Sequence, residues 1–223
     1  MSARAGQRVE TTVIRQDDER YPSALRNFFG KRVGDVTAIG NTELLNAPDL
    51  ALFCSVKCPG SLILKTYDLA QKLRETDTTV ISGFHSPIEK ECLNVLLKSS
   101  NKLVVCPARG LESMRIPLEY RKPIEAGRML LASPFTEKQR QASAVVAERR
   151  NQFVAALASQ VFVSYAAPRS KTERLCRQIV DWRKPLFTFG GEANNNLIAM
   201  GAGVLGSDFS PLACPDLMMT SAC

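Results

Sequence analysis

The chain has 223 residues, 45% hydrophobic and 23% charged, which is the composition of a globular protein with a full core and excludes a fibrous or disordered chain. Its formal charge is +7 and its sequence pI near 9.2, a basic surplus that favours polyanionic partners. No run reaches the roughly 18–20 uninterrupted apolar residues of a membrane span, the first residues carry no apolar signal core, and scattered cysteines, odd in number, read as free thiols in a reducing cytoplasm. Cys54 and Cys58 form C-x3-C, but no second pair or neighbouring histidine completes a zinc set, so no metal is assigned.

Residues 1–48 read as a polar, irregular N-terminal cap leading into the fold. Alternation begins at 49–55 (DLALFCS), a short apolar run suited to a buried parallel strand. A helix follows over 61–75, a β-branched strand over 78–82, and a helix over 87–97 with Ile88, Cys92, Val95 and Leu96 on one side. Next come a strand at 103–106, a region of Arg and Pro at 107–127 holding a short helix, and a strand at 128–132. A long helix is expected from about 137 to 158, then a strand at 160–165, a helix at 171–183, a strand at 185–189 and a short helix at 195–200. Strands that alternate with helices pair in parallel through helical crossovers. The expectation is therefore an α/β protein: a doubly wound, mostly parallel sheet with helices on both faces, spanning 49–205. The stretch 206–223 has neither period and reads as a tail or a partner-contacting arm.

Ligands of such sheets bind outside the carboxyl ends of the strands. The turns there are 54–61, 82–87, 106–115, 133–139 and 165–173, which carry Lys57, His85, Arg109, Arg115, Lys138, Arg169 and Lys171. Outside capping positions they hold only Glu112 and Glu137 as acids, so positive charge concentrates at one edge. Ser86-Pro87-Ile88-Glu89, Ser170-Lys171-Thr172-Glu173 and Thr136-Glu137-Lys138-Gln139 have capping-box spacing. A helix start with free N–H groups also favours an anion.

His85, the single histidine, immediately precedes the first of these caps. Three roles stay open for it: contact with a phosphate or base, a plain loop position, or a catalytic base, for which the local sequence supplies no nucleophile and orienting acid. Lys57 can reach a phosphate as a point charge or lie in solvent. Within the long helix Val146, Arg150, Phe153 and Leu157 share a face, so Arg150 must find a partner or open onto a cleft. Trp182 falls with Leu175 and Ile179 and reads as core. Neither a G-x-G-x-x-G nor a G-x4-G-K-[ST] fingerprint is present.

The order of four motifs resembles the DNA-processing protein A (DprA, or Smf) family. The matching stretches are Cys54-Ser55-Val56; Ile81 to Glu89, ISGFHSPIE; Arg150-Asn151-Gln152; and Asn196 to Ala202, NLIAMGA. The family pattern has Gly-Ser-Arg at the first, Gly-Ile-Asp where Pro87-Ile88-Glu89 stands, and Arg-Asn-Arg at the third. Val56 thus replaces the arginine that in the family contacts DNA phosphate, with Lys57 beside it, and Gln152 replaces the second arginine. The resemblance implies a Rossmann-like fold, homodimers, binding of single-stranded DNA, and help in loading a RecA-type recombinase during DNA uptake or recombination. The leading expectation is a cytoplasmic, non-enzymatic binder without cofactor. Its phosphate-binding edge comprises Ser55, Lys57, Ser82, Gly83, His85, Ser86, Arg109, Arg150, Asn151, Ser170, Lys171 and Thr172. The alternative is a pocket for a nucleotide-derived small molecule, phosphoribohydrolase-like, with Glu89 or Glu173 acting on the ribosyl bond. It rests on Pro168 to Glu173, a degenerate echo of a Gly-rich phosphate loop.

Overall fold

The structure is a computed structural model that describes residues 11–206 apart from 31, 32, 47, 113 and 140. The expectations for the tail therefore lie outside the described residues, save for residue 206.

The central strands are apolar on both sides because both sides are covered. Strand β3 (Leu50–Phe53) is buried throughout. Its residues alternate between two cores, Ala51 and Phe53 in one, Leu50 and Leu52 in the other. The same period of two sorts Val161 and Val163 from Phe162 in β7 (Gln160–Val163). One core is roofed by α1 (Ser23–Phe29), α5 (Ala144–Leu157) and α6 (Lys171–Asp181) through Leu25, Phe153, Leu157, Leu175 and Ile179. The other is closed by α2 (Gly60–Leu73), α3 (Pro87–Leu96) and α4 (Leu118–Glu125), which contribute Leu62, Leu69, Ile88, Leu96 and Ile124. The fold is the expected three-layer, Rossmann-like α/β arrangement.

The remaining strands are β1 (Thr12–Ile14), β2 (Val36–Gly40), β4 (Val80–Ser82), β5 (Leu103–Val105), β6 (Met129–Ser133), β8 (Leu186–Phe189) and β9 (Gly203–Leu205), with a short α7 (Asn195–Ile198) before the last. They form one nine-stranded sheet in the order β1-β2-β6-β5-β4-β3-β7-β8-β9. From β6 to β9 every pairing is parallel. At the other margin β2 runs antiparallel to β6, with Thr37 opposite Ser133, and β1 antiparallel to β2.

Three expectations need correction. Among the described residues, the N-terminal stretch holds β1, α1 and β2 in place of irregular chain: Val36, Thr37, Ala38 and Ile39 are buried, and β2 seals the apolar margin of β6. The long helix begins at Ala144, about two turns later than expected, because Ser143 is its cap and accepts from the Val146 N–H at 3.2 Å. The Thr136-to-Gln139 spacing instead closes a turn, the Gln139 N–H donating to the Thr136 carbonyl at 2.9 Å. Trp182 is only partly buried and ends α6 against α1, its ring 4.7 Å from that of Phe28 and 5.7 Å from that of Phe29.

Candidate functional site

Strand order reverses at β3. The chain steps from β3 through β4 and β5 to β6 in one direction, then returns to β7 on the far side of β3 and proceeds to β8 and β9. A crevice opens at such a switch point beyond the strand ends. Here β3 and β7 are clasped: the Ser55 N–H donates to the Tyr165 carbonyl at 2.9 Å, and the Ala167 N–H to Ser55 Oγ at 3.2 Å. The cleft above has a volume of about 330 Å³ and is lined by the loops after β3, β4 and β7 and by the flank of α5.

The β4–α3 loop is fixed by one carboxylate. Glu89, 5% exposed, accepts from the Cys54 N–H (2.9 Å) through Oε1 and from the His85 and Ser86 N–H groups (2.8 and 3.2 Å) through Oε2. Ser86 Oγ accepts in return from the Glu89 N–H at 3.3 Å, completing the capping box. The box thus does more than cap α3, since it ties the end of β3 to the loop after β4. His85 is left exposed on the cleft rim.

Arg150 enters from α5. It is 3% exposed, and its Nη1 donates to the Cys106 carbonyl at 2.8 Å while Nε donates to Asn151 Oδ1 at 2.7 Å. Burial pulls the guanidinium below its ordinary pKa, against the opposing attraction of Glu89 and the Cys106 thiol. The guanidinium lies where a side chain at position 83 would begin, since a Cβ on Gly83 would sit 1.4 Å from Nη1. Gly83 therefore serves the cleft by leaving room for Arg150. Burial also pushes the Cys106 thiol up to about 12, and raises those of Cys54 and Cys58. These protonated thiols are poor nucleophiles.

The fourth wall is the start of α6. Ser170 caps it, its Oγ accepting from the Glu173 N–H at 3.1 Å. The second box is displaced by one residue: Glu173 accepts from the Arg169 N–H (2.9 Å), and from the Asn196 amide at 2.7 Å. Lys171 is exposed but engaged, donating to the Ala144 carbonyl at 3.0 Å and pairing with Glu148 at 3.2 Å. Glu148 also pairs with Arg174 at 3.6 Å. Its part was not legible beforehand, because an ion pair between two helices carries no local spacing.

Of the sequence-derived site residues, Ser55, Lys57, His85, Ser86, Arg150, Asn151, Ser170, Lys171 and Thr172 line the one cleft. Three do not. Ser82 is fully buried, its Oγ accepting from the Phe84 N–H at 3.1 Å. Gly83 lies behind the Arg150 guanidinium. Arg109 belongs to the β5 turn, beside β6, where its carbonyl accepts from Ser133 Oγ at 2.7 Å. Among the described residues no group of three or more His, Cys, Asp or Glu is placed to hold a metal ion, and no helix is long and apolar enough to cross a membrane.

The family model for DNA recombination-mediator protein A matches residues 12–210. Comparison with curated proteins finds no match. Among solved structures, DNA processing protein A from Streptococcus pneumoniae superposes with a TM-score of 0.72 at 20% identity, over 91% of this chain and 73% of that one. DNA processing protein A from Helicobacter pylori, described for its single-stranded DNA binding mode, gives a TM-score of 0.71 at 17% identity over 90% and 93%. A molybdenum cofactor binding protein from Rippkaea orientalis shares the fold more distantly, with a TM-score of 0.52 at 9% identity over 74% and 92%.

Proposed function

The chain belongs to the DNA recombination-mediator protein A family, and on that premise we propose that its cleft holds the phosphate backbone of single-stranded DNA without chemical conversion. The observation that carries the reading is the convergence of Arg150, Lys57, His85 and Lys171, with the hydroxyls of Ser55 and Thr172, around one opening at the switch point. Arg150 is held in place before any ligand arrives, so little is lost in ordering it. The single-stranded DNA binding described for the Helicobacter pylori relative supports the same ligand class.

Small-molecule hydrolysis is less well supported. Glu89 and Glu173, its candidate acids, are spent on backbone N–H groups and, for Glu173, on Asn196 and Arg177. A general base needs a free lone pair toward substrate. As finer parts of the proposal, the protein is a cytoplasmic homodimer that passes the strand to a RecA-type recombinase in DNA uptake or recombination. Family membership supports them; sedimentation with and without such a recombinase tests the dimer and the recombinase contact, and cell fractionation tests the location.

The primary test is a titration of labelled oligo-dT against duplex DNA over a range of salt. Single strands should bind more tightly, with affinity falling steeply as salt rises. Lys57→Ala should weaken all sequences alike and lower the salt slope by about one. Absence of oligo-dT binding at low salt refutes the proposal.

A further inference from the structure

Cys54 and Cys58 bracket one lip of the cleft. Cys54 stands where the first family motif has glycine, so its thiol belongs to this chain rather than to the pattern. It is buried and borders the cleft, while Cys58 is half-buried and packs at the edge of the core under α2. The two thiols hydrogen-bond each other, and each also meets the Ser164 hydroxyl. The other cysteines are placed differently. Cys92 turns to the Thr66 carbonyl at 3.9 Å, Cys106 lies by the Arg150 charge, and Cys176 is closed off in the core. Cys214 and Cys223 lie outside the described residues.

Between the paired thiols run Ser55, Val56 and Lys57. The first part of this loop is fixed. Glu89 holds the Cys54 N–H at 2.9 Å, and Ser55 is clasped to the Tyr165 carbonyl and the Ala167 N–H. The second part faces solvent, with Val56 68% exposed and Lys57 exposed beside it. A disulfide has an S–S bond of about 2.05 Å, shorter than any hydrogen bond. Closing it draws Cys58 toward the fixed Cys54, and the displacement falls on Val56 and Lys57.

We propose that Cys54 and Cys58 form an oxidation site: they close to a disulfide by exchange with a small disulfide of the glutathione class, and Lys57 is thereby withdrawn from the cleft. The pairing stands apart from the cleft reading, whereas its effect on binding rests on it. Cys58, the more accessible thiol, loses its proton to solvent and attacks one sulfur of the small disulfide, expelling a thiolate that takes up a proton. Cys54 then loses its proton and attacks the Cys58 sulfur of the mixed disulfide, expelling the second small thiol. Two cysteine thiols are oxidised and one small disulfide is reduced to two thiols. Burial raises both cysteine thiols, which makes the exchange slow. The Cys54 hydrogen bond opposes that rise at Cys58, which gives Cys58 the attacking part. The product carries no charge, so burial does not disfavour it. Cytosolic disulfides are chiefly transient, catalytic or redox-sensing, which suits a bond that turns a binding site down.

The test equilibrates the full chain in buffers of reduced and oxidised glutathione, blocks the remaining thiols and digests with trypsin. Cleavage after Lys57 separates the two cysteines, so the bond appears as peptide 33–57 joined to peptide 58–65. A non-reducing gel shows that the link lies within one chain. The joined peptides are expected in oxidising buffer and should vanish in dithiothreitol. Oligo-dT affinity, followed by anisotropy, should fall about five- to tenfold at about 0.1 M salt, the share of one phosphate contact, with a salt slope lower by about one. Cys58→Ser should abolish both changes, and in Lys57→Ala oxidation should leave affinity where it was. Free Cys54 and Cys58 after equilibration in oxidised glutathione, joined peptides with undiminished affinity, or a loss that persists in Cys58→Ser overturns the inference while the cleft reading stands. Failure of the reduced protein to bind oligo-dT refutes the cleft reading instead, and the peptides alone then decide whether the pair oxidises.

Discussion

Substituting Gly83 by alanine tests how the cleft is built. Gly83 is not among the glycines with positive φ, so an alanine meets no backbone penalty. It meets Arg150 instead, the new Cβ lying 1.4 Å from Nη1, 1.8 Å from Cζ and 2.6 Å from Nε. No small adjustment relieves three such approaches, so the guanidinium must leave its position and give up the 2.8 Å bond to the Cys106 carbonyl. A charged hydrogen bond contributes about 1.5–3 kcal/mol, and a buried charge left without its partners costs about 3–5 kcal/mol. The expected loss for Gly83→Ala is thus about 3 kcal/mol, a fall in Tm of roughly 6–12 °C for a domain this size. Urea unfolding followed by far-UV circular dichroism measures it. The decisive measurement is the double-mutant cycle with Arg150→Ala. Removing the guanidinium removes the three nearest approaches to that Cβ, and the cost of the alanine should drop to about 0.5 kcal/mol or less. If Gly83→Ala costs the same in both backgrounds, the clash is not the reason for the glycine and the account of the Arg150 side chain fails.

Other expectations follow from the same contacts. Glu148→Gln should tighten oligo-dT binding several-fold by releasing Lys171 and Arg174, as measured by anisotropy at low salt, where such charge effects are largest. The Glu173 carboxyl is held below its ordinary pKa by the Asn196 amide, the Arg169 N–H and Arg177, against its burial. Its contribution to stability is therefore present above the unfolded value and lost as pH falls through the folded one. Glu173→Gln should flatten the stability curve below about pH 4.5 in urea titrations, and an unchanged acid limb would contradict this. Ser143→Ala should cost about 1 kcal/mol as a lost helix cap, whereas Thr136→Ala should cost less than about 0.5 kcal/mol as a surface change. A reversed order in chemical denaturation would return the start of α5 to the earlier site.

Much of this architecture was readable because the parallel strands are buried on both faces. Runs such as Leu50–Phe53 and Gln160–Val163 admit few other readings. The cap at Ser86 was readable because Pro87 and Glu89 follow it. Strand β2 was not: Val36–Gly40, VTAIG, is short and ends in glycine, and only its pairing with β6 makes it a strand. Neither was β9, which is three residues long. At the site, the convergence of the strand-end loops followed from topology. The withdrawal of Ser82 did not, because whether a strand's last residue points into the sheet or the cleft depends on register. The reason for Gly83 was equally hidden, since the group that excludes a side chain there is Arg150, 67 positions further along the sequence.

The antiparallel seam between β2 and β6 has a consequence for how the chain is born. The Thr37 hydroxyl bonds the Ser133 carbonyl across a separation of 96 residues. As the polypeptide emerges from the ribosome amino end first, β2 has its seat only after β6 has cleared the exit. Until then its apolar face waits in water, a window in which a chaperone or a neighbouring nascent chain can reach it.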